Sequence, residues 1–155
     1  MKKQKQYYHY TECGLDNIYL VNGFKITKTA DGTGIFISNI EGLHKVICMI
    51  LISKKDPLKG KEIKFIRTML DLSQTRLAHL LGCRYQQILL WEKNKNKIST
   101  PSDRLLRITL YTFLDNNHDN GKVFKKINEI ADSNAADTNR KIKLKEDKDQ
   151  WEIVV

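Results

Sequence analysis

Apolar positions cluster as β-branched and aromatic runs early in this chain, recur at helical spacing through its middle, and alternate with polar ones near its end. Residues 1–16 are polar and aromatic without a clear period and read as irregular. Residues 18–27 and 35–40 are rich in β-branched and aromatic side chains. They flank Ala30-Asp31-Gly32-Thr33-Gly34, whose residues suit a tight turn, so the pattern predicts a β-hairpin. Residues 41–53 read as a helix with Leu43, Val46, Ile47, Ile50 and Leu51 spread over most of its faces, hence largely buried. Pro57 and Gly60 mark a connection. Residues 61–70 then place Ile63, Phe65, Ile66 and Leu70 around an apolar face.

Two short helices follow. Ser73 is placed to cap the first, whose inward residues are Leu77, Ala78 and Leu81, and Gly82 supplies the left-handed stop that commonly ends a helix. The second covers residues 85–93, with Ile88 and Trp91 inward and Asn94 just beyond, a residue that also tolerates the left-handed conformation. Thr100-Pro101-Ser102-Asp103 reads as a helix start with Thr100 as cap, and Leu105, Leu106, Ile108, Leu110 and Phe113 carry that helix to about Leu114. Residues 115–121 form a polar turn, and 123–131 fit one more helix. Residues 132–139 are small and polar, as in a linker. Lys141-Ile142-Lys143-Leu144-Lys145 alternates with period two, and after a turn at 146–149 Trp151-Glu152-Ile153-Val154-Val155 completes a second expected hairpin. The fold class expected is α+β: a module at 1–58, a five-helix-type domain at 59–114, and a C-terminal segment at 115–155.

Charge narrows the class of partner. The 155 residues carry 27 basic and 18 acidic side chains, a net charge of +9, which favours an anionic partner. Residues 59–111 hold 11 basic and 4 acidic side chains, against 8 and 5 before them and 8 and 9 after. The positive field therefore centres on the two short helices, where a DNA-binding surface needs it. The three cysteines, Cys13, Cys48 and Cys83, form no C-x-x-C pair, so neither a zinc site nor a disulfide framework is expected, and a reducing cytoplasm is the simplest location. The start, Met1-Lys2-Lys3-Gln4-Lys5, is followed by tyrosines rather than an apolar core, so no secretory signal is expected. The apolar run at 46–52 is too short for a membrane span.

The chemistry expected of the two short helices is DNA reading. A recognition helix presents its N-terminal residues to the major groove while its back packs on neighbouring helices. Ile88 and Trp91 supply the back. Gln86 and Gln87 are natural readers, because glutamine pairs with adenine through a donor and an acceptor together. Gln74, between Ser73 and Thr75, sits at a helix start where side chain and backbone amides jointly hold a phosphate. Lys93, Lys95 and Lys97 line the exit and neutralise backbone charge.

Residues 61–111 resemble the lambda-repressor/Cro-like (XRE) helix-turn-helix family. The resemblance rests on Leu72-Ser73-Gln74, Leu77-Ala78, Gly82, Ile88 and Trp91-Glu92. It implies a phosphate contact at Gln74 and base contacts at Tyr85, Gln86, Gln87 and Leu90. Three positions depart from the family pattern. Arg84 stands where a serine or threonine usually caps the recognition helix, so another group must serve as cap. Leu90 replaces a polar reader, and Asn94 replaces a glycine. The layout also resembles MqsA-type antitoxins through the segment Tyr10-Thr11-Glu12-Cys13-Gly14-Leu15-Asp16-Asn17 and through Glu41-Gly42-Leu43-His44, but the zinc-binding cysteine pairs are absent.

The function expected is a prokaryotic, cytoplasmic, nucleoid-associated repressor. It binds palindromic double-stranded DNA as a homodimer, autoregulates in the manner of an antitoxin, and holds a cognate toxin through a segment outside the motif. The DNA-contacting set is Ser73, Gln74 and Thr75, then Arg84, Tyr85, Gln86, Gln87 and Leu90, then the three lysines. Leu106, Leu110 and Phe113 are the expected dimer surface. A stand-alone phage-type repressor and a protein-interaction scaffold with little DNA readout are the alternatives; the scaffold draws on the apolar pair Leu89-Leu90. His9, His44, His79 and His118 are scattered without ligand spacing, so no metal or other cofactor is expected. Asp31-Gly32-Thr33-Gly34 lacks the Lys-Ser/Thr of a phosphate loop. Cys83 suits packing better than redox chemistry, and Glu92 suits a brace to a nearby arginine. No catalytic constellation is present, and no enzymatic activity is expected.

Overall fold

A computed structural model describes residues 6–115, 119–131 and 140–154. In chain order the strands β1 (Tyr8–His9), β2 (Ile18–Leu20), β3 (Phe24–Thr29) and β4 (Gly32–Ile37) come first. The helices α1 (Ile40–Ser53), α2 (Gly60–Met69), α3 (Gln74–Leu81), α4 (Tyr85–Glu92), α5 (Thr100–Leu114) and α6 (Asn120–Ala131) follow, then the strands β5 (Ile142–Asp147) and β6 (Gln150–Ile153). The fold is thus mixed α+β, with six helices and two small sheets among the described residues. The expected linker at 132–139 lies outside them.

The chain gathers into two units, residues 1–47 with 139–155 and residues 48–138, and the boundary falls inside α1. The sequence division ran along the chain in three segments. Contacts instead join the C-terminal hairpin to the N-terminal module and place α6 with the other helices. The cause is a parallel pairing between strands far apart in sequence: β2 pairs with β5 in the register Ile18↔Ile142, Tyr19↔Lys143 and Leu20↔Leu144. The sheet order is β1-β2-β5-β6, the outer two pairings being antiparallel.

The expected strand at 18–27 is in fact two. Val21-Asn22-Gly23 interrupts it, with Gly23 at φ +74. A Cβ at Gly23 would lie 2.7 Å from the Trp151 ring and 2.8 Å from Glu146 Cβ, so glycine lets the backbone turn beneath the indole. Asn22 Nδ2 donates to Glu146 O at 3.0 Å and Asn22 Oδ1 accepts from Glu146 N at 2.6 Å, so one side-chain amide extends the β2–β5 ladder. Trp151 Nε1 donates to Ser38 O at 2.9 Å, satisfying the polar edge of a ring otherwise buried. The hairpin β3–β4 forms its own two-stranded sheet, in register from Phe24↔Ile37 to Thr29↔Gly32, with only Ala30-Asp31 at its tip. Its strands run further toward the turn than the hydrophobic pattern implied.

In the helical unit, Ile63, Ile66, Leu77, Ile88, Leu106 and Leu110 are fully buried. The cap of α5 is Ser99, one residue before the expected Thr100. Its side chain accepts from Ser102 N, and Thr100 and Pro101 occupy the first two helical positions. Proline costs nothing there because those N–H groups have no intrahelical acceptor. Arg107 is buried beneath the α1–α2 connection, donating to the carbonyls of Lys54 and Asp56 and pairing with Asp103. Asp103 also accepts from Leu58 N at 2.7 Å. The sequence places Leu106 and Leu110 on a dimer surface. They face the core instead, and α5 leaves Leu105 and Phe113 exposed.

Candidate nucleic-acid interface

The segment from Ser73 to Asn94 is built by local chemistry. Ser73 Oγ accepts from Arg76 N at 3.1 Å and so caps α3. Gly82 ends α3 at φ +66, ψ +33, a conformation that costs a side-chain-bearing residue far more than glycine. Three residues later α4 starts at Tyr85, capped at Arg84. Arginine has no acceptor, and the group that serves is Gln87, whose Oε1 accepts from Arg84 N at 3.2 Å. Three-residue spacing from a cap to a glutamine is the signal by which the sequence could have shown this.

The side chains of α4 divide into two sets. Ile88 and Trp91 are 0% and 5% exposed and anchor the helix, as their three-residue spacing predicted. Tyr85, Gln86 and Gln87 point outward together at its N-terminal end. Gln86 has no hydrogen-bond partner among the described residues, whereas Gln87 is engaged in the cap. Leu90 is 38% exposed and Leu89 half-buried, so neither leucine of the apolar pair is in the core.

A polar relay fixes this face from behind. Glu92 lies near the end of α4, with its side chain 6% exposed. It accepts from Arg67 Nε at 2.5 Å and from Gln74 Nε2 at 2.7 Å. Gln74 Oε1 in turn accepts from the Tyr85 hydroxyl at 3.3 Å. Arg67 Nη1 also donates to Leu72 O at 3.1 Å. One carboxylate thereby ties α2, α3 and α4 together, the bracing role expected of Glu92. Gln74, assigned to phosphate, spends its amide oxygen on Tyr85 and one N–H on Glu92, leaving its other N–H and the helix-start backbone for an anion. Arg67, invisible as a site residue in the sequence, is what positions Glu92.

At the far end of α4, Asn94 takes φ +54, and its Oδ1 accepts from Gly60 N at 2.8 Å. A Cβ at Gly60 would run into the carbonyl oxygens of Trp91 and Glu92, so glycine permits the start of α2 to meet the end of α4 directly. Lys93, Lys95 and Lys97 follow and are all exposed, as are Ser73, Thr75 and Arg84. The structure therefore brings the assigned DNA-contacting residues onto one pair of helices and their flanking turns. Of the assigned dimer residues only Phe113 is exposed, at 56%.

Burial pushes the Cys48 thiol up to about 12 and raises those of Cys13 and Cys83, so all three stay protonated at neutral pH. Among the described residues, no group of three or more His, Cys, Asp or Glu is placed to hold a metal ion. Among the same residues, no helix is long and apolar enough to cross a membrane. No family model, curated protein or solved structure matches the chain.

Proposed function

We propose that this chain is a sequence-specific double-stranded-DNA-binding regulator of the lambda-repressor/Cro-like helix-turn-helix type, acting as a dimeric repressor. The observation that carries the reading is the division of α4: Ile88 and Trp91 anchored in the core, Tyr85 and Gln86 held outward at its N-terminal end. That end of a recognition helix is the part that reaches base edges in the major groove. The net charge of +7 over residues 59–111, from 11 basic and 4 acidic side chains, supports it by supplying attraction to phosphate. In this reading Gln86 is the principal base reader. Gln87 is released from base reading by its capping role, and Leu90 offers an apolar contact suited to a thymine methyl group. The lysines after α4 hold the backbone.

A protein partner of the toxin kind, outside the DNA-reading helices, is supported by the β3–β4 hairpin. It exposes Ile26 at 48% and Phe36 at 62% on an open two-stranded ribbon. The DNA reading is tested by fluorescence anisotropy on a duplex enriched from random sequence. Gln86→Ala is expected to weaken binding to that duplex by about 1–3 kcal/mol while leaving binding to scrambled DNA unchanged. Equal loss on both duplexes would make Gln86 a phosphate contact and remove it as a reader.

A further inference from the structure

A cavity of about 360 Å³ opens in the helical unit, lined by Lys54, Lys55, Arg104, Arg107, Asp103 and Thr100, with Pro57, Ile98 and Ile130 as its apolar wall. Its size falls in the lower part of the range of small-molecule sites, roughly 300–1,000 Å³, but its lining carries more charge than most of them, which points to a charged ligand. From the cavity's charges and apolar wall we infer that it is a binding site for a small organic anion, a carboxylate or phosphate carried on an apolar body.

The charges decide the ligand's sign. Asp103 is the only acid among the lining residues, against four cations. That acid is already spent: its carboxylate accepts from Leu58 N at 2.7 Å and from Arg107 Nη2 at 3.2 Å, and pairs with Arg107 Nε at 2.7 Å. The Nε contact is close but lies off the N–H axis, so this buried donor has no hydrogen-bond acceptor. Lys54 is 2% exposed, and its Nζ donates to Glu62 Oε1 at 2.6 Å. Glu62 therefore compensates its charge, and Lys54 forms part of the cavity's floor rather than a free cation. Lys55 and Arg104 are exposed at the cavity and meet no carboxylate among the described residues. With Lys54 paired to Glu62 and Arg107 to Asp103, the uncompensated charge at the cavity is that of Lys55 and Arg104, and two open cations beside an apolar wall favour an anion. Ile98, Pro57 and Ile130 then select a ligand that carries apolar surface beside its charge.

Ile98 ends the segment that carries Lys93, Lys95 and Lys97. An occupant would touch the end of the loop whose lysines hold the DNA backbone in the proposed function, and a regulatory role for it rests on that reading. The binding measurement itself needs no DNA and stands or falls separately from that reading.

The test uses the full chain and phenyl phosphate as probe, followed by calorimetry and by amide NMR shifts. Saturable binding is expected, with shifts at Lys55, Ile98, Thr100 and Arg104. Benzyl alcohol should give none, and inorganic phosphate should bind more weakly. The exposed pair Lys55→Glu and Arg104→Glu should weaken phenyl phosphate binding about tenfold for each charged hydrogen bond lost, with the circular dichroism unchanged. Lack of saturation, shifts scattered over lysines around the whole surface, or undiminished binding by the double variant would each overturn the site. Equal binding of inorganic phosphate would overturn the apolar part of the assignment.

Discussion

Replacing Glu92 by alanine tests whether one buried carboxylate holds three helices in place. The substitution removes the acceptor of Arg67 Nε at 2.5 Å and of Gln74 Nε2 at 2.7 Å. It leaves the Arg67 guanidinium with the Leu72 backbone carbonyl as its remaining acceptor among the described residues. Breaking a fully buried ion pair by removing one partner costs about 3–5 kcal/mol, chiefly from the stranded charge. Here the Arg67 side chain retains 16% exposure, so water partly solvates it and the charge penalty is smaller. The lost Gln74 hydrogen bond restores part of the difference, at about 0.5–1.5 kcal/mol. The expected total is therefore about 2–4 kcal/mol.

The assay is urea unfolding followed by tryptophan fluorescence in a Trp151→Phe background, so that Trp91, packed in the helical unit, reports alone. At a slope of about 2 kcal/mol per molar urea, the midpoint should fall by roughly 1–2 M with the slope unchanged. Arg67→Met combined with Glu92→Leu should cost clearly less than the sum of the single changes, because no charge is then left unpaired. A Glu92→Ala loss below about 0.5 kcal/mol, or single changes that simply add, would refute the bracing argument.

Gly23→Ala should destabilise the sheet-containing unit by about 2–4 kcal/mol, because it combines a left-handed backbone with a methyl group driven into the Trp151 ring; a neutral result in chemical denaturation would show that the turn relaxes freely. Gln87→Ala should cost about 1 kcal/mol of stability through loss of the Arg84 cap while leaving DNA preference intact, whereas altered preference at full stability would return Gln87 to the reading face. His44 accepts from or donates to the Tyr10 hydroxyl at 2.8 Å, and burial holds its pKa below the ordinary 6.5. Its unfolded form therefore binds the proton more readily, so its contribution is fully present above pH 6.5 and is lost as pH falls below that value toward the depressed folded pKa. His44→Gln should flatten the wild-type fall in stability over that window, and an unchanged slope would clear His44 of the effect.

Short-range chemistry was legible in the sequence and long-range pairing was not. Ser73, Gly82 and Asn94 announce helix ends because capping depends on a residue and its near neighbours, and the structure places all three as read. The inward set Leu77, Ala78, Leu81, Ile88 and Trp91 follows from helical periodicity alone. By contrast, the pairing of Ile18 with Ile142 leaves no periodic trace. Without it, the Val21-Asn22-Gly23 break cannot be told from continuing strand. Leu106 and Leu110 were misplaced because α5 carries apolar residues on more than one side, and periodicity does not say which side meets the core. The relay through Arg67, Glu92, Gln74 and Tyr85 was half visible: Glu92 called for an arginine, but which arginine, and the enlistment of Gln74, depend on tertiary geometry.

The central claim, that the N-terminal end of α4 reads DNA, is tested most directly by selecting binders from a pool of random-sequence duplexes with the wild-type chain and with Gln86→Ala. The account predicts a twofold-symmetric motif for the wild type, with half-sites about one helical turn apart, and loss of preference at one adenine-bearing position per half-site in the variant. Failure of the wild type to enrich any sequence, or an identical motif from the variant, would contradict it.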